Sequence, residues 1–225
     1  MEKIGIVSRE KSLIPEIKKK IKDYGFSHND NKPDFVLSIG GDGTFLFAER
    51  KYPSIPKILV MYNSICKKCA AFDVDHILKN LKEKSYQIKE IEKLEVSCNN
   101  KKLQAANDII IRNKNQYSAL RFSLKIDGSN IGNFIGDGII AATSFGSTAY
   151  FHSITRKSFN KGFAIAFNNT TEKHEAILFN KKVEIKILRE HAIVSADNNE
   201  NIITASEGDI IAIYPKGKTR IIELH

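Results

Sequence analysis

A short apolar run near the start of the chain leads directly into a loop made mostly of glycine. The run is Phe35-Val36-Leu37-Ser38-Ile39, and the loop is Gly40-Gly41-Asp42-Gly43-Thr44. A nearly continuous apolar run of this length is typical of a parallel strand that is buried on both faces. Glycine permits the positive φ angles of a sharp turn, and backbone N–H groups in such a turn, at the start of a helix, bind phosphate oxygens. The segment therefore predicts a parallel α/β sheet with a phosphate-binding loop at the end of one strand.

The aspartate in this loop indicates chemistry beyond phosphate binding. Asp42 would repel an anion, so its place among glycines makes sense if it accepts a proton from an attacking hydroxyl group or holds Mg²⁺. The alternative is a tight strand-to-helix turn that Asp42 caps. A lone Gly-Asp-Gly would favour that alternative, whereas the full loop directly after an apolar strand favours a functional role.

The first part of the chain alternates between strand and helix patterns. Strands are predicted at residues 4–7, 35–39 and 57–62, and helices at 13–24, 45–50 and 76–84. In the first predicted helix, Ile14, Ile17, Ile21 and Tyr24 have the spacing of an apolar stripe that faces a sheet. The alternation predicts an N-terminal α/β domain, residues 1–87, in which helices cover a parallel sheet.

From about residue 88 the pattern changes to the two-residue period of strands. Strands are predicted at 94–98, 108–112, 120–126, 138–143, 163–167, 183–188, 192–196, 210–214 and 219–224, with turns at Asn99-Asn100 and Asp127-Gly128. Many short strands separated by turn signals indicate an antiparallel sheet. We therefore predict that residues 88–225 form a C-terminal β-rich domain, and that the boundary lies in the charged stretch between Lys82 and Lys93.

Two further motifs lie in this β-rich part. Gly136-Asp137-Gly138 is followed by an apolar run and then by Ser144-Phe145-Gly146-Ser147-Thr148-Ala149-Tyr150. This order predicts a strand, a glycine turn and a helix with Ser147 as its N-cap; its hydroxyl groups would contact ribose and phosphate, and Tyr150 would pack on a base. The alternative is an ordinary capped helix with Tyr150 in the core. The polar pair Asn107-Asp108, at the head of a strand, could hold ribose hydroxyls or a base edge, although alone such a pair is more often a turn.

Together these motifs resemble those of the NAD kinase family, and the resemblance runs through most of the chain. Gly40 to Thr44 matches the family's hallmark loop, which diacylglycerol, sphingosine and 6-phosphofructokinases share more loosely. Residues 136–150 look like the family's second and more specific block. Asn107-Asp108 stands where the family usually has Asn-Glu, and Asp197 and Glu207-Gly208-Asp209 resemble its closing strands.

The resemblance implies a kinase that phosphorylates the adenosine 2′-hydroxyl of NAD, with ATP or polyphosphate as donor and Mg²⁺ bound transiently with that donor. It implies that Asp42 is the general base and that the loop near the phosphates is shaped by Gly40, Gly41, Gly43 and Thr44. The implied NAD-binding residues are Asn107, Asp108, Asp137, Ser147, Thr148, Ala149, Tyr150 and Ser153. Of these, Asn107 and Asp108 would hold the nicotinamide-side ribose or adjacent groups. Asp137 would bind polar groups of adenine or nicotinamide, either within one subunit or across a subunit interface.

A homo-oligomer is expected on two grounds. The strands that contain Ile109-Ile110-Ile111 and Ile139-Ile140-Ala141 are apolar on both faces, and one face needs a cover other than the core. The resemblance implies a homodimer or homotetramer in which a second subunit completes the dinucleotide site.

The chain departs from the family pattern at several places. The family has Gly-Ile-Asn and Leu-Gly-Phe-Leu after the strand predicted at 57–62, and only Asn63 and Phe72 remain here. It has Ser-x-Gly-Gly after Tyr150, where this chain has residues 152–156 without glycine, and its Leu-Thr-x-Arg-Pro is replaced by residues 170–174. Two alternatives stay open: a kinase with the same loop and another hydroxyl substrate, and a nucleotide-binding regulator with weakened catalysis.

Charge and cysteine content limit the partners. The 35 basic and 26 acidic residues give a formal net charge of +9, which suits anionic ligands. The lysines are scattered and form no stripe with interleaved aromatics, so we expect no nucleic-acid partner. No apolar run reaches the length of a membrane span and the start has no signal-peptide pattern, so we expect a cytoplasmic protein without a membrane partner. Cys66 and Cys69 have the Cys-x-x-Cys spacing but lack the second ligand pair of a structural zinc site, so we expect no metal site there.

Overall fold

The chain folds into two units, one of which is discontinuous in sequence. The computed structural model describes residues 1–62 and 73–224. Met1–Ile91 and Lys218–His225 make up the first unit, called here the N-terminal unit, and Glu92–Gly217 make up the second, called the β-rich unit. The sequence prediction divided the chain after residue 87 and kept the last residues with the β-rich part. The two units divide it after Ile91, within the predicted boundary stretch between Lys82 and Lys93, and the last residues belong to the N-terminal unit.

The described residues contain fifteen strands and four α-helices. The strands are β1 (Lys3–Ser8), β2 (Ser27–His28), β3 (Phe35–Ile39), β4 (Lys57–Val60), β5 (Tyr86–Cys98), β6 (Lys101–Ala105), β7 (Asp108–Asn113), β8 (Leu120–Ile126), β9 (Ser129–Thr143), β10 (Phe163–Thr170), β11 (Ile177–Phe179), β12 (Val183–Arg189), β13 (Ala192–Ala196), β14 (Ile203–Ala205) and β15 (Ile210–Leu224). The helices are α1 (Ile14–Asp23), α2 (Asp42–Lys51), α3 (Val74–Glu83) and α4 (Tyr150–Thr155). None of the helices in residues 1–62 and 73–224 is long and apolar enough to cross a membrane.

A parallel sheet forms the centre of the N-terminal unit. Its strand order is β2-β1-β3-β4, and the end of β15 is added beside β4, with Ile221 opposite Lys57. All five residues of β3 are buried. Helices α1 and α3 pack on one face of the sheet through Ile17, Ile21 and Ile77, and Ala48 of α2 packs on the other face. The predicted parallel α/β arrangement, with β3 buried on both faces, is confirmed.

An antiparallel sheet forms the β-rich unit, in the order β14-β13-β7-β9-β8-β12-β15. Strand β10 pairs with the second half of β9 and with β11, and β5 pairs with β6. The inward side chains of these strands form one large apolar core, which includes Phe122, Ile139, Ile165 and Ile185. The predicted β-rich C-terminal part is therefore also confirmed.

The second apolar face of β9 is covered from within the chain. Ala142 of β9 and Ala164 and Ala166 of β10 pack against Phe151 of α4 and against Phe159, in the segment that follows α4. The expectation of an oligomer had assumed that an outside partner must cover such a face. Because α4 and the segment after it cover this part of the sheet, no second subunit is needed to cover it. The expectation of an oligomer then rests on the family resemblance.

Candidate active site

The glycine loop lies where three strands of the N-terminal unit end together. Ile39, the last residue of β3, stands opposite Ser8 of β1 and Val60 of β4, which are also the last residues of their strands. Gly40 follows with φ of 149°, and a side chain there would collide with Thr44 Oγ1, so the position requires glycine. The Gly40 N–H donates to Val60 O at 2.8 Å. The loop is thus held at the carboxyl edge of the sheet, which is where open α/β sheets bind ligands.

Helix α2 begins earlier than the sequence suggested, and this places Asp42 inside it. The predicted helix started at residue 45, whereas α2 starts at Asp42 with Gly41 as its N-cap. The N–H groups of Thr44 and Phe45 donate to Gly41 O at 2.9 and 3.2 Å. Asp42 is therefore a half-buried member of the first turn and not its cap. The positive end of the helix dipole and the Asp42 carboxylate meet at the same loop, which suits both phosphate binding and proton transfer.

A buried ion pair ties α2 to the sheet beneath it. Lys57 Nζ of β4 pairs with Glu49 Oε2 of α2, and Thr219 Oγ1 of β15 donates to the same oxygen at 2.6 Å. The Lys57 and Thr219 residues are fully buried. Glu49 is seven positions after Asp42, or about two turns along the helix. The pair therefore fixes how the helix that carries Asp42 sits on the sheet, a role that the sequence pattern gave no means of predicting.

In the β-rich unit, Asn107 and Asp108 form a tightly held turn at the start of β7. Both residues are buried. Asp197, directly after β13, accepts hydrogen bonds from the N–H groups of Ala106, Asn107 and Asp108 at 2.8, 2.8 and 3.1 Å. Burial raises the pKa of Asp197, although these three N–H groups favour its charged form. The sequence placed Asp197 in the closing strands but did not reveal that it organises this turn.

One atom of the turn has an unmet hydrogen-bonding need. Asn107 Oδ1 is buried and has no hydrogen-bond partner among residues 1–62 and 73–224. A buried amide oxygen without a donor is costly, and each such atom in a folded protein calls for an explanation. A ligand hydroxyl or N–H group that donates to Asn107 Oδ1 would supply one.

The Gly136-Asp137-Gly138 motif lies inside strand β9, which begins earlier than the predicted residues 138–143. Strand β9 runs from Ser129 to Thr143 without a break, and Gly138 is paired on both sides, with Arg112 of β7 and Asn168 of β10. Two flanking strands supply ladder partners along this stretch, and they override the local tendency of glycine to turn. Asp137 is exposed and accepts a hydrogen bond from Asn169 Nδ2 at 3.0 Å.

Along β9, Asp137 is separated from the other predicted ligand residues. Ala142 stands opposite Asp108 in the ladder, and residue 137 precedes residue 142 by five positions. Five residues of a strand span about 16 Å. The structure therefore does not bring Asp137 together with Asn107 and Asp108 along the strand of one chain.

The prediction that Ser147 caps the following helix is wrong. Helix α4 begins at Tyr150 with Ala149 as its N-cap, and Ser147 lies in a 3₁₀ turn, Gly146–Thr148, that precedes it. The buried Ser147 Oγ lies 2.8 and 2.9 Å from the carbonyl oxygens of Ser144 and Phe159, which share its one hydrogen, so the hydroxyl serves the fold of this segment. Serine can satisfy nearby carbonyl groups as readily as helix N–H groups, and tertiary context decided between them.

The remaining predicted residues of this motif present side chains to solvent. Tyr150 is 38% exposed, and Thr148 and Ser153 are exposed as well. Tyr150 and Ser153 are three positions apart on α4 and therefore share a face of the helix. A side chain at Gly146 would collide with the backbone of Asn107, so the 3₁₀ turn lies directly against the Asn107 turn. The structure thus brings the segment 146–150 and the pair Asn107-Asp108 together.

The cysteine predictions fall mostly outside the described residues. Cys66, Cys69, Asn63 and Phe72 all lie there. Cys98 is buried in the core, and burial raises the pKa of its thiol. Within residues 1–62 and 73–224, no group of three or more His, Cys, Asp or Glu side chains could hold a metal ion.

Comparisons with known sequences agree on one family. The family model described as the ATP-NAD kinase C-terminal domain matches residues 106–224, more than half of the chain. The NAD kinase of Bacteroides fragilis is 30% identical over 151 residues, which cover 63% of this chain and 52% of that protein. The NAD kinase of Sulfurisphaera tokodaii is 30% identical over 203 residues, which cover 87% and 78%. The chain spans about half the length of several curated relatives that it matches, including the Bacteroides fragilis protein.

Solved structures share the fold. A crystal structure of an NAD kinase from Archaeoglobus fulgidus in complex with ATP superimposes with a TM-score of 0.84 at 19% identity, covering 99% of this chain and 94% of that one. Yeast NADH kinase complexed with NADH gives a TM-score of 0.84 at 15% identity, covering 100% and 84%. At these identities the likeness shows that the fold is shared.

Proposed function

This chain belongs to the NAD kinase family, and we propose that it transfers a phosphoryl group to the adenosine 2′-hydroxyl of NAD, which yields NADP. The observation that carries the proposal is the position of Asp42, in the first turn of α2 at the carboxyl edge of the parallel sheet. ATP or polyphosphate is the proposed donor. The glycine loop and the helix N-terminus suit the phosphates of either.

The proposed reaction is an in-line displacement. The 2′-oxygen of NAD attacks the terminal phosphorus, the bond from that phosphorus to the leaving phosphate oxygen breaks, and the hydroxyl proton passes to the Asp42 carboxylate. Positioning and charge stabilisation supply most of the catalysis in phosphoryl transfer. Here Gly40, Gly41, Gly43 and Thr44 would hold the donor phosphates, and α2 would add the positive end of its dipole.

Mg²⁺ is the proposed metal, and it would enter with the donor. The loop offers the Asp42 carboxylate, and phosphate oxygens together with water are the other ligands that Mg²⁺ prefers. When bound, the metal would neutralise charge that develops on the transferred phosphoryl group.

The proposed NAD-binding residues lie on the β-rich unit. Asn107 Oδ1 is buried and lacks a donor within the described part of the chain, which supports direct contact with a ligand hydroxyl or N–H group. The exposed face of α4, with Tyr150 and Ser153, would contact a base or a ribose. Thr148 and Ala149 would line the same site, and Asp108 would help to orient the ribose. Ser147 would act indirectly, by holding the 3₁₀ turn.

A homodimer or homotetramer remains part of the proposal. The family resemblance supports it, and an assembly would give a role to Asp137, whose exposed carboxylate stands about 16 Å along β9 from the residue opposite Asp108. In a symmetric assembly Asp137 would reach the dinucleotide of a second subunit.

A direct assay tests the proposal. Purified protein is incubated with NAD, Mg²⁺ and either ATP or polyphosphate, and NADP is measured enzymatically. We expect NADP to form with at least one donor. If another hydroxyl compound is phosphorylated and NAD is not, the alternative kinase is correct. If NAD binds without turnover, the weakened regulator is correct.

The variant Asp42→Asn tests the role of the loop carboxylate. We expect kcat to fall by about 10²- to 10⁴-fold, the usual contribution of a general base, while the Kd for NAD changes by less than about tenfold. Asp34→Asn is the matched control, because Asp34 stands at the opposite end of β3 and accepts a hydrogen bond from the Lys3 N–H. The control should keep wild-type kcat. If Asp42→Asn retains more than about a tenth of kcat, Asp42 is not the base.

A further inference from the structure

The turn formed by Ala106, Asn107 and Asp108 is held by two residues from elsewhere in the β-rich unit. Each of its three residues has one backbone N–H and one C=O group, and every one of these six groups has a partner. Asp197 takes all three N–H groups, and its own N–H donates to Asp108 O at 2.8 Å. Thr143 supplies the other two donors: its Oγ1 bonds Ala106 O at 2.6 Å and its N–H bonds Asn107 O at 2.9 Å. The backbone of the turn is therefore fully satisfied by Asp197 and Thr143.

The geometry at Asp197 is specialised for this task. Its φ angle is 51°, in the left-handed region that few residues other than glycine, asparagine and aspartate adopt readily. A carboxylate that accepts several N–H groups forms strong, charge-assisted hydrogen bonds. Thr143 is coupled to the neighbouring segment as well, because the Gly146 N–H donates to Thr143 Oγ1 at 2.9 Å. The Asn107 turn and the segment that leads to Tyr150 thus share one network.

The side chain of Asn107 stands out against this satisfied backbone. Its Oδ1 is buried and lacks a donor within the described ranges, although the peptide groups on either side of it are paired. A rigid backbone around an unsatisfied side-chain acceptor is the arrangement expected of a group that is preorganised for a ligand. If the turn could relax, Asn107 would find a partner within the protein or in solvent.

We propose that Asp197 is a positioning residue of the dinucleotide site, which fixes the Asn107-Asp108 turn so that Asn107 Oδ1 accepts a hydrogen bond from NAD. This inference rests on the proposed function, because it assumes that NAD is the ligand. Thr143 supports the same turn from the carbonyl side. Neither Asp197 nor Thr143 needs to touch NAD.

The chain contains a close structural match for Asp197 that serves as a control. Asp127 has a φ angle of 49°, and its carboxylate accepts the N–H groups of Asn180, Lys181 and Lys182 at 3.0, 2.9 and 2.8 Å. It belongs to the same β-rich unit but holds a surface turn that carries none of the predicted site residues. A purely structural role predicts similar effects at both positions, whereas a positioning role predicts an effect on NAD only at Asp197.

The test compares Asp197→Asn with Asp127→Asn in steady-state kinetics and in NAD binding by calorimetry. The new amide group turns two donors toward backbone N–H groups that need acceptors, so the turn is disturbed at either site. For Asp197→Asn we expect the KM and Kd for NAD to rise about tenfold, because losing one well-placed hydrogen bond to the ligand corresponds to roughly that factor. The KM for ATP should change by less than about twofold. Asp127→Asn should leave all three constants near wild type.

A second pair of variants tests the same proposal if Asp197→Asn fails to fold. Thr143→Val removes the hydroxyl that bonds Ala106 O, and Thr143→Ser keeps it. We expect Thr143→Val to raise the KM for NAD and Thr143→Ser to restore most of the wild-type value. Hydrogen exchange adds a readout without ligand: the amides of Asn107 and Asp108 should exchange faster in Asp197→Asn and stay protected in Asp127→Asn.

Two different failures can be told apart. If the wild-type protein neither binds nor phosphorylates NAD, the proposed function is wrong and this inference falls with it. If the wild type is active and folded Asp197→Asn and Thr143→Val both keep the wild-type KM and Kd for NAD, the proposed function stands and the positioning role is wrong. An equal rise in the KM for NAD in Asp127→Asn would also contradict the inference.

Discussion

Tyr150 and Phe151 are neighbours in sequence but lie on opposite sides of α4. Phe151 is 2% exposed and packs on the alanines of β9 and β10, while Tyr150 is 38% exposed. The sequence left open whether Tyr150 belongs to the core or to a ligand site. Its exposure supports the ligand site, because a core aromatic would be covered.

Replacing these two rings separately should therefore give opposite results. We expect Tyr150→Ala to raise the KM for NAD and to leave the melting temperature nearly unchanged. Phe151→Ala, the matched control, should cost about 3–5 kcal/mol in the free energy of unfolding, as for other buried aromatics. Thermal melting with and without NAD separates the two effects. If the melting temperature of Tyr150→Ala is far lower than that of wild type and NAD still binds normally, Tyr150 belongs to the core and not to the ligand site.

Individual residues were predictable where the backbone demanded a particular type. Gly40 could be identified from sequence, because a positive φ angle after a buried strand leaves little choice. The role of Asp197 could not be predicted from the sequence, because the turn that it holds lies about ninety positions earlier in the chain. No local sequence pattern indicates such a contact. Ser147 was misplaced for the same reason: its partner Phe159 O lies beyond the helix that it was expected to cap.

Among the elements, α2 is joined to its sheet by a buried ion pair. The ion pair of Lys57 and Glu49 is buried, and Thr219 completes it. A buried ion pair adds little net stability by itself, since both charges lose their hydration. Removing one partner is different, because the other charge then remains in the interior.

Variants at Glu49 should show this asymmetry. We expect Glu49→Ala to cost about 3–5 kcal/mol in the free energy of unfolding, and the double variant Glu49→Met with Lys57→Met to cost much less. Glu16→Ala is the control, because Glu16 forms an exposed pair with Lys20 at 3.5 Å on α1 and should cost under about 1 kcal/mol. Urea denaturation measures all three. A Glu49→Ala variant as stable as the control would show that Lys57 is accommodated without this partner.

Element boundaries were predictable where the pattern was strictly local. Strands β3, β8 and β13 begin and end at the predicted residues. Strand β9 was cut short at its glycines, and β15 was divided in two around Pro215-Lys216-Gly217. At β9 the neighbouring strands continue the ladder through Gly136 and Gly138. Strand β15 pairs with β12 before this segment and with β4 after it. The local sequence does not record such partners from elsewhere in the chain.

At the scale of the whole molecule, one buried carboxylate of the β-rich unit links stability to pH. Glu95 on β5 accepts hydrogen bonds from Tyr214 Oη at 2.6 Å, Gln104 Nε2 at 3.0 Å and Lys216 Nζ at 3.1 Å. Burial alone would raise the pKa of Glu95, but these hydrogen bonds outweigh it and lower the pKa to about 2. The folded protein therefore favours the charged form more than the unfolded chain does.

The sign of the pH dependence follows from this lowered pKa. The stabilisation by Glu95 is complete above the unfolded pKa of about 4.3 and is lost as the pH falls toward 2. The shift corresponds to roughly 3 kcal/mol. We expect the stability difference between wild type and Glu95→Gln to shrink between pH 6 and pH 2, as measured by urea denaturation, while Glu200→Gln, at an exposed position, matches wild type throughout. A difference that stays constant over this range would contradict the assignment.

The hydrogen bond from Thr219 to Glu49 joins residues that are 170 positions apart. A ribosome builds a chain toward its C-terminus, so α2 emerges long before the strand that completes its buried ion pair. The β-rich unit, Glu92–Gly217, lies wholly between them and can fold as soon as it has emerged. The N-terminal unit is therefore completed only after the β-rich unit has emerged, and the nascent helix that carries Asp42 waits for the last part of β15.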